Sequence, residues 1–451
     1  MRHRKNYLAL YYPEGFCIRL SPDIAVFPKD ADGMEVITKS KENLSVFTHE
    51  YWYYLMNCTT LSRYRDLSLL INILSLFTHT LDKKGFSSGV SELDDTQMST
   101  LSNLVQTYNC FNGDTEPRAT DNYNGIKIKG LKTLNHKISF LQHEIDYETI
   151  HLLLSNSDDF RFYFHVGNIA IEESLAYNIE KCIYPDADAP FFPYYNCNLL
   201  FDHYLDDYSN LTLLKVLTIA LLSSNPAKSL IQILQDLSEN DHEDYLKTIV
   251  KKTRDNYINK SDLIIADIDN LLTVYKDRGM PYYAIKYLKD LVIKAIALRK
   301  VDPLFELKPF EDNAFSKSEL MKLFRAIPPC DVIQEFEGNN HELEKDSIFT
   351  FNFEKPSWNE SKYQVSEFLR SLHCQFEYIL NHLDLPKSAF CKSEEIKYDC
   401  ECPYFTTCNL KSRIDEPEIC KNEPWAHFHK QEKKCWYSSG VAGSLGTIEF
   451  I

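Results

Sequence analysis

Val46-Phe47-Thr48-His49-Glu50-Tyr51-Trp52-Tyr53-Tyr54-Leu55 sets a histidine and a glutamate side by side inside an apolar, aromatic run. In an H-E-x-x-H helix two histidines four apart leave the same face and grip one Zn²⁺. The glutamate between them polarises the metal-bound water. His49 and Glu50 keep the first two positions of that pattern, but Tyr53 stands where the second histidine belongs. A neutral phenol is a poor ligand, because its reference pKa is about 10 and the metal must drive the proton off. A catalytic zinc site takes three protein ligands and leaves the fourth position to water. The chain has therefore either lost the ion or holds it in another way.

Working outward, strand-like sequence precedes this helix: Tyr7-Leu-Ala-Leu-Tyr-Tyr, a Pro13-Glu14-Gly15 turn, Phe16-Cys-Ile-Arg-Leu and Ile24-Ala-Val-Phe. From about Lys41 the apolar period turns helical, giving one helix through His49 to about Ser62 and a second from about Tyr64 to Leu81. A polar, irregular region is expected from Ser87 to Asn124. Strand-like runs return at Ile126–Gly130, Lys137–Leu141 and Phe160–His165, followed by a helix from about Ile169 to Ile183. Beyond Pro193 the pattern predicts successive helices at Leu211–Ser223, Lys228–Leu237, Asp241–Asn256, Lys260–Tyr275 and Pro281–Arg299, a helical layer joined by short polar turns. Residues from Glu335 to Lys345 read as a linker. A last amphipathic helix, about Glu360 to Leu383, leads into a cysteine-rich tail.

The composition narrows the function classes. Of 451 residues 44% are hydrophobic, the range of a folded globular chain. Glycine is scarce at 13, and neither a G-x-x-x-x-G-K-[ST] nor a G-x-G-x-x-G run occurs, so phosphate-loop chemistry is not expected. The formal net charge of −16 comes without any concentrated Lys/Arg block, which argues against a nucleic-acid partner. No window approaches the ~20 apolar residues of a membrane span, and the N-terminus lacks the apolar core of a signal peptide. A cytoplasmic protein is expected, in which the thirteen cysteines are thiols or metal ligands rather than disulfides.

A second helix, Ile171-Glu172-Glu173-Ser174-Leu175-Ala176-Tyr177, carries acids that face the same question as His49. The segment from His49 to Thr60 resembles the zincin-type motif of uncharacterised bacterial proteins, which read His-Glu-Tyr-x-His-Tyr-Leu-Gln followed by a Ser/Thr pair. Their downstream glutamate helix, of the type Gly-x-x-x-Ile-x-Glu-[Ser/Gly]-x-Ala, is matched by Gly167, Ile171, Glu173, Ser174 and Ala176. The resemblance implies a gluzincin arrangement in which His49 is the first ligand, Glu50 the general base and Glu173 the third ligand. Tyr53 takes the second-ligand position, and Met56 replaces the glutamine.

Three readings follow. Tyr53 hydrogen-bonds to Glu173 or His49 and fills the metal's place, giving a pseudoenzyme. Alternatively His165 or His79 supplies the missing ligand, or Tyr53 itself coordinates. With only His49 and Glu173 as good ligands, zinc affinity there should collapse.

Six cysteines fall after residue 390: Cys391, Cys400, Cys402, Cys408, Cys420 and Cys435. Clustered thiolates in a reducing compartment repel and oxidise unless Zn²⁺ or an iron–sulfur cluster neutralises them. The tail has few aliphatic residues, and a metal can replace the core it lacks. The preferred quartet is Cys402, Cys408 and Cys420 with Cys391, Cys400 or Cys435. His427 and His429 offer nitrogen nearby, though their alternation suits a surface equally, and Cys374 reads as helix packing.

These readings assemble into an α+β, predominantly helical protein: a zincin-like core with a small N-terminal sheet, a helical layer and a small cysteine-rich C-terminal module. The divisions fall at 1–310 for the zincin-like domain with its helical extension, 311–358 for a linker and 359–451 for the final helix and tail. Two function classes stay open. One is a metallopeptidase-like protein with an impaired site that binds a protein or peptide; the other is an active zinc peptidase with an unusual ligand set. The resemblance implies a setting in bacterial conflict or phage defence.

Overall fold

The computed structural model describes residues 8–12, 16–26, 38–115, 124–140, 143–276, 278–311, 314–328, 331–335, 347–349, 365–396, 400–430 and 435–446. The chain is α+β and predominantly helical. Strands β1 (Ala9–Tyr12) and β2 (Cys17–Leu20) form an antiparallel pair; the turn expected at Pro13–Gly15 lies outside the described residues. Then come helices α1 (Lys41–Thr59), α2 (Leu61–Phe77) and α3 (Asp95–Asn112), and the meander β3 (Lys127–Phe140), β4 (His143–Ser155) and β5 (Arg161–Val166). Helices follow as α4 (Asn168–Ile183), α5 (Phe191–Tyr194), α6 (Asn196–Tyr204), α7 (Asn210–Leu221), α8 (Pro226–Glu239), α9 (His242–Tyr275), α10 (Met280–Val301) and α11 (Lys317–Ala326). Strands β6 (Asp331–Gln334) and β7 (Ser347–Phe349), helix α12 (Val365–His382), the β8–β9 pair (Leu383–Asp384 and Ala389–Phe390), and helices α13 (Lys411–Asp415), α14 (Pro417–Asn422) and α15 (Trp436–Leu445) complete the order.

Several elements differ from the sequence expectation, each for a local reason. The region expected to be irregular holds α3, started by a capping box in which Asp94 and Gln97 exchange hydrogen bonds with each other's backbone. Its polar composition hid the apolar stripe of Leu101, Leu104 and Val105. Strand β4 escaped notice because burial alternates through Tyr147 and Thr149 and then changes phase at Ile150, Leu152 and Leu154. The two helices expected between Asp241 and Tyr275 are one, since no glycine or proline interrupts residues 256–260. Between 311 and 358, expected as a linker, β6 pairs parallel to β2 and antiparallel to β7, so the first sheet runs β1-β2-β6-β7. Most of the residues from Glu335 to Lys345 lie outside those described.

Helix α1 passes through the core, and only Lys41, Glu42, Asn43, Tyr53 and Asn57 escape burial along it. A helix buried on nearly every side needs its ends satisfied from elsewhere. Ser40 caps the N-terminus by accepting from the Asn43 N–H at 3.2 Å. At the other end the Thr59 carbonyl accepts from Arg299 Nε (3.3 Å) and from the Tyr257 hydroxyl (3.1 Å). Arg299 is in turn paired with Glu306 at 2.8 Å, both side chains essentially excluded from water.

Helix α4 packs along α1, and its start is held by a close backbone approach. A Cβ on Gly167 would lie 2.4 Å from the Asn112 carbonyl, and Gly113 opposite it has φ +71°. Only glycine tolerates both constraints. At the C-terminal end α15 packs against α12 through Gly440, where a Cβ would meet the Gln375 nitrogen at 2.7 Å. Buried Cys400, Tyr404, Trp425, Phe428 and Tyr437 of the tail belong to the same contiguous core as α1 and α4.

Candidate functional site

Tyr53, the one aromatic of α1 that is not buried, stands at the seam with α4. His49 Nδ1 lies 2.9 Å from Glu180 Oε2. Its Nε2 lies 3.1 Å from the Tyr53 hydroxyl and 3.9 Å from Glu173 Oε2. The Tyr53 hydroxyl also hydrogen-bonds to Glu173. Burial by itself would depress the imidazole, but the Glu180 hydrogen bond and the charges of Glu50, Glu180 and Glu173 outweigh it and raise His49 to about 9. At neutral pH both ring nitrogens therefore donate, Nδ1–H to Glu180 and Nε2–H to the phenol oxygen, and the phenol donates to Glu173. The result is a continuous relay, Glu180–His49–Tyr53–Glu173.

Glu50, next to His49 on α1, is buried and feels the charges of His49, Glu173 and Glu180. Burial pushes its carboxyl up to about 7, with the His49 charge opposing. The carboxyl accepts a hydrogen bond from the Tyr11 backbone. Strand geometry explains that bond: the Leu8 carbonyl turns inward to accept from the Ser21 N–H, so Ala9 and Tyr11, in alternate phase, turn their backbone groups away from β2. The Tyr11 ring stacks on Tyr53, centroids 6.3 Å apart.

Two further anchors hold α4 in register. Arg63 of α2 grips Glu172 through two hydrogen bonds, Nε to Oε1 at 2.7 Å and Nη2 to Oε2, and reaches Asp66 at 3.0 Å. Ser174 Oγ lies 2.8 Å from the Tyr194 carbonyl and accepts from the Cys197 N–H, fixing the α5–α6 junction that brings the Tyr194 ring 5.8 Å from His49. Burial, reinforced by Glu173, Glu50 and Glu180, holds the Tyr194 phenol protonated.

The structure thus brings together His49, Glu50, Tyr53 and Glu173, the four residues named from the sequence. Glu180 and Tyr194 were not assigned there. Glu180 lies seven residues after Glu173, two helical turns on the same face, which is a legible signal. Tyr194 arrives from the end of the four-residue helix α5, which has no periodicity to read. His165, considered as a substitute ligand, stacks on His151 with centroids 4.7 Å apart, and burial and that second imidazole hold it down to about 4. His79 is exposed on a short 3₁₀ turn. The charges acting on His49 come from Glu180, Glu50 and Glu173.

These donors do not fit a zinc ion as they stand. Nε2, the nitrogen a metal would take, is hydrogen-bonded to the Tyr53 hydroxyl at 3.1 Å. The phenol that would replace it is held well above its ordinary value by burial and by Glu173. Among the described residues, no group of three or more His, Cys, Asp or Glu side chains is set to hold a metal ion.

In the tail, the Cys402 N–H donates to the Cys420 carbonyl at 2.8 Å, and Cys420 Sγ lies 3.2 Å from His427 Nε2. The Cys374 thiol, on α12, hydrogen-bonds to Cys402. Cys391 sits apart, at the end of β9 beside Asp384 and Lys387. Cys400 is buried near Tyr437.

No protein-family model matches the chain, and neither the curated proteins nor the solved structures contain a match. Among the described residues no helix is long and apolar enough to cross a membrane.

Proposed function

We propose that this chain is a metallopeptidase-like protein of zincin type whose hydrolytic site has become a hydrogen-bonded relay, and that it acts in the cytoplasm by binding a protein or peptide segment. The observation that carries the reading is the Tyr53 hydroxyl, 3.1 Å from His49 Nε2 and bonded to Glu173, at the point where a shared ion would sit. The partly exposed rim supports a binding role. Tyr53, Tyr194, Glu173 and Glu180 combine aromatic area with carboxylates, a surface suited to a cationic or aromatic peptide side chain. The setting in bacterial conflict or phage defence implied by the resemblance belongs to this proposal.

The competing reading is an active zinc peptidase. Nε2, the Tyr53 oxygen and Glu173 Oε2 do converge, and loss of two protons would turn them toward a metal. Zinc content of the purified chain, with Tyr53→His alongside, separates the two, together with cleavage of an unstructured protein and Glu50→Gln as control. Zinc bound at this site only in Tyr53→His, with no cleavage by the natural chain, supports the binding role. Stoichiometric zinc lost on His49→Ala, with cleavage abolished by Glu50→Gln, overturns it.

A further inference from the structure

The lysines of β3 are scattered along the sequence, yet strand pairing gathers two of them with an arginine on one face of the β3–β4–β5 meander. Register sets Lys127 and Arg161 on either side of Ser155, and Lys132 beside His151. Between these rows lies a third, in which Leu153 separates Gly130 from Tyr163. Cross-strand partners share a face, and Ser155, Leu153 and His151 alternate along β4, so the three rows look the same way. Phe162 and Phe164, in the opposite phase of β5, are buried. Lys127, Lys132 and Arg161 are exposed, and Tyr163 keeps 57% of its surface in water. A Cβ on Gly130 would meet nothing within 4 Å, so the middle row is open on the β3 side of half-buried Leu153. His151 is pinned by Thr149 Oγ1 at 3.0 Å and by stacking on His165. Burial holds both imidazoles below their ordinary value, so the positive charge at neutral pH comes from the two lysines and the arginine. Among the described residues, no Asp or Glu of the three strands lies on this face, since Glu144, Asp146 and Glu148 fall on the other. Asp159, in the β4–β5 turn, reaches Arg161 only at 3.8 Å with both side chains mostly in water, a pair that a competing carboxylate displaces at little cost.

We infer that this face docks an extended acidic protein segment in which an apolar side chain stands between two carboxylates. The outer rows are four residues apart along β4, about 13 Å at the rise of a strand. Side chains at i, i+2 and i+4 of an extended peptide point the same way, so a Glu-x-Leu-x-Glu segment laid along β4 matches the three rows. Its glutamates reach the cationic rows, and its leucine settles over Leu153 in the space that Gly130 leaves, beside Tyr163. Charge complementarity selects the occupant: a cationic face on a chain with a formal net charge of −16 attracts an acidic partner and discourages a basic one. The face shares no residue with the His49 relay, and the inference stands whether or not that site binds a peptide.

The test is the fluorescence anisotropy of a fluorescein-labelled peptide containing Glu-Thr-Leu-Thr-Glu, titrated with the full chain at several salt concentrations. Saturable one-to-one binding that weakens with salt is expected. Lys127→Glu combined with Lys132→Glu should raise the Kd by about tenfold or more. Gly130→Val, which suits a strand and fills the middle row, should weaken binding as well, and so should serine in place of the peptide leucine. His49→Ala should leave the Kd unchanged. The charge reversal and the glycine substitution are independent, so if one variant fails to fold the other decides. Binding that does not saturate, a Kd indifferent to both variants, equal affinity for a peptide with lysines in place of its glutamates, loss of binding in His49→Ala, or tighter binding of single-stranded DNA than of the peptide would each overturn the inference.

Discussion

Replacing Glu50 by glutamine should make the protein more stable at neutral pH, and by an amount that depends on pH. The folded chain raises this carboxyl from its ordinary value of 4.5 up to about 7, because ionising it in the core is costly. At about 1.4 kcal/mol per pH unit, that difference is worth about 3 kcal/mol. The sign is set by proton binding: the native state holds the proton more tightly than the unfolded chain. This contribution is therefore fully present below pH 4.5 and is lost as pH rises through about 7. The glutamine side chain keeps the acceptor for the Tyr11 backbone and never ionises. The stability of Glu50→Gln relative to the natural chain should thus climb by up to about 3 kcal/mol between pH 4.5 and 8. Urea unfolding at a series of pH values, followed by tryptophan fluorescence, measures the difference. The difference matters because other carboxylates titrate in both proteins and cancel. A stability gap that is constant across this range, or one that shrinks as pH rises, would refute the burial argument.

His49 adds a second window with the same sign. Its folded value is raised from 6.5 to about 9, so its contribution is present below pH 6.5 and disappears as pH rises through about 9, visible in the nuclear magnetic resonance titration of its ring. Glu50→Gln removes one of the charges that raise it, and the His49 midpoint in that variant should fall. Tyr53→Phe deletes the hydroxyl that joins His49 to Glu173 and should cost about 1–3 kcal/mol by leaving both partners short of a hydrogen bond, read as a lower unfolding midpoint. Arg63→Ala strands both Glu172 and Asp66 in the core and should cost about 3–5 kcal/mol, read as a lower urea unfolding midpoint.

The local logic of the site was legible because it follows helix periodicity. His49, Glu50 and Tyr53 declare their relation by spacings of one and four, and Glu173 shares a face with Glu180 at a spacing of seven. The major helices were visible for the same reason, from the apolar runs of α2 and α7 to the continuous amphipathic pattern of α12. What escaped was structure whose stabilisation is non-local. Strand β6 is four residues long and exists because β2 accepts it in parallel, while Arg370 of α12 holds Asp331 at 2.6 Å. A strand that short has no periodicity to read.

Sequence alone placed a phenol, Tyr53, four residues after His49, the spacing at which an H-E-x-x-H helix carries its second imidazole. It also established that α1 is apolar enough to be buried and that the cysteines gather after residue 390. Tertiary structure decided the rest: that Glu180 meets one ring nitrogen of the imidazole and the phenol the other, that the surrounding carboxylates raise His49 to about 9, and that Cys374 joins the tail. The reason is physical. Residue type sets which bonds a side chain can make, but protonation and pairing depend on the desolvation and neighbouring charge that only packing between distant segments creates.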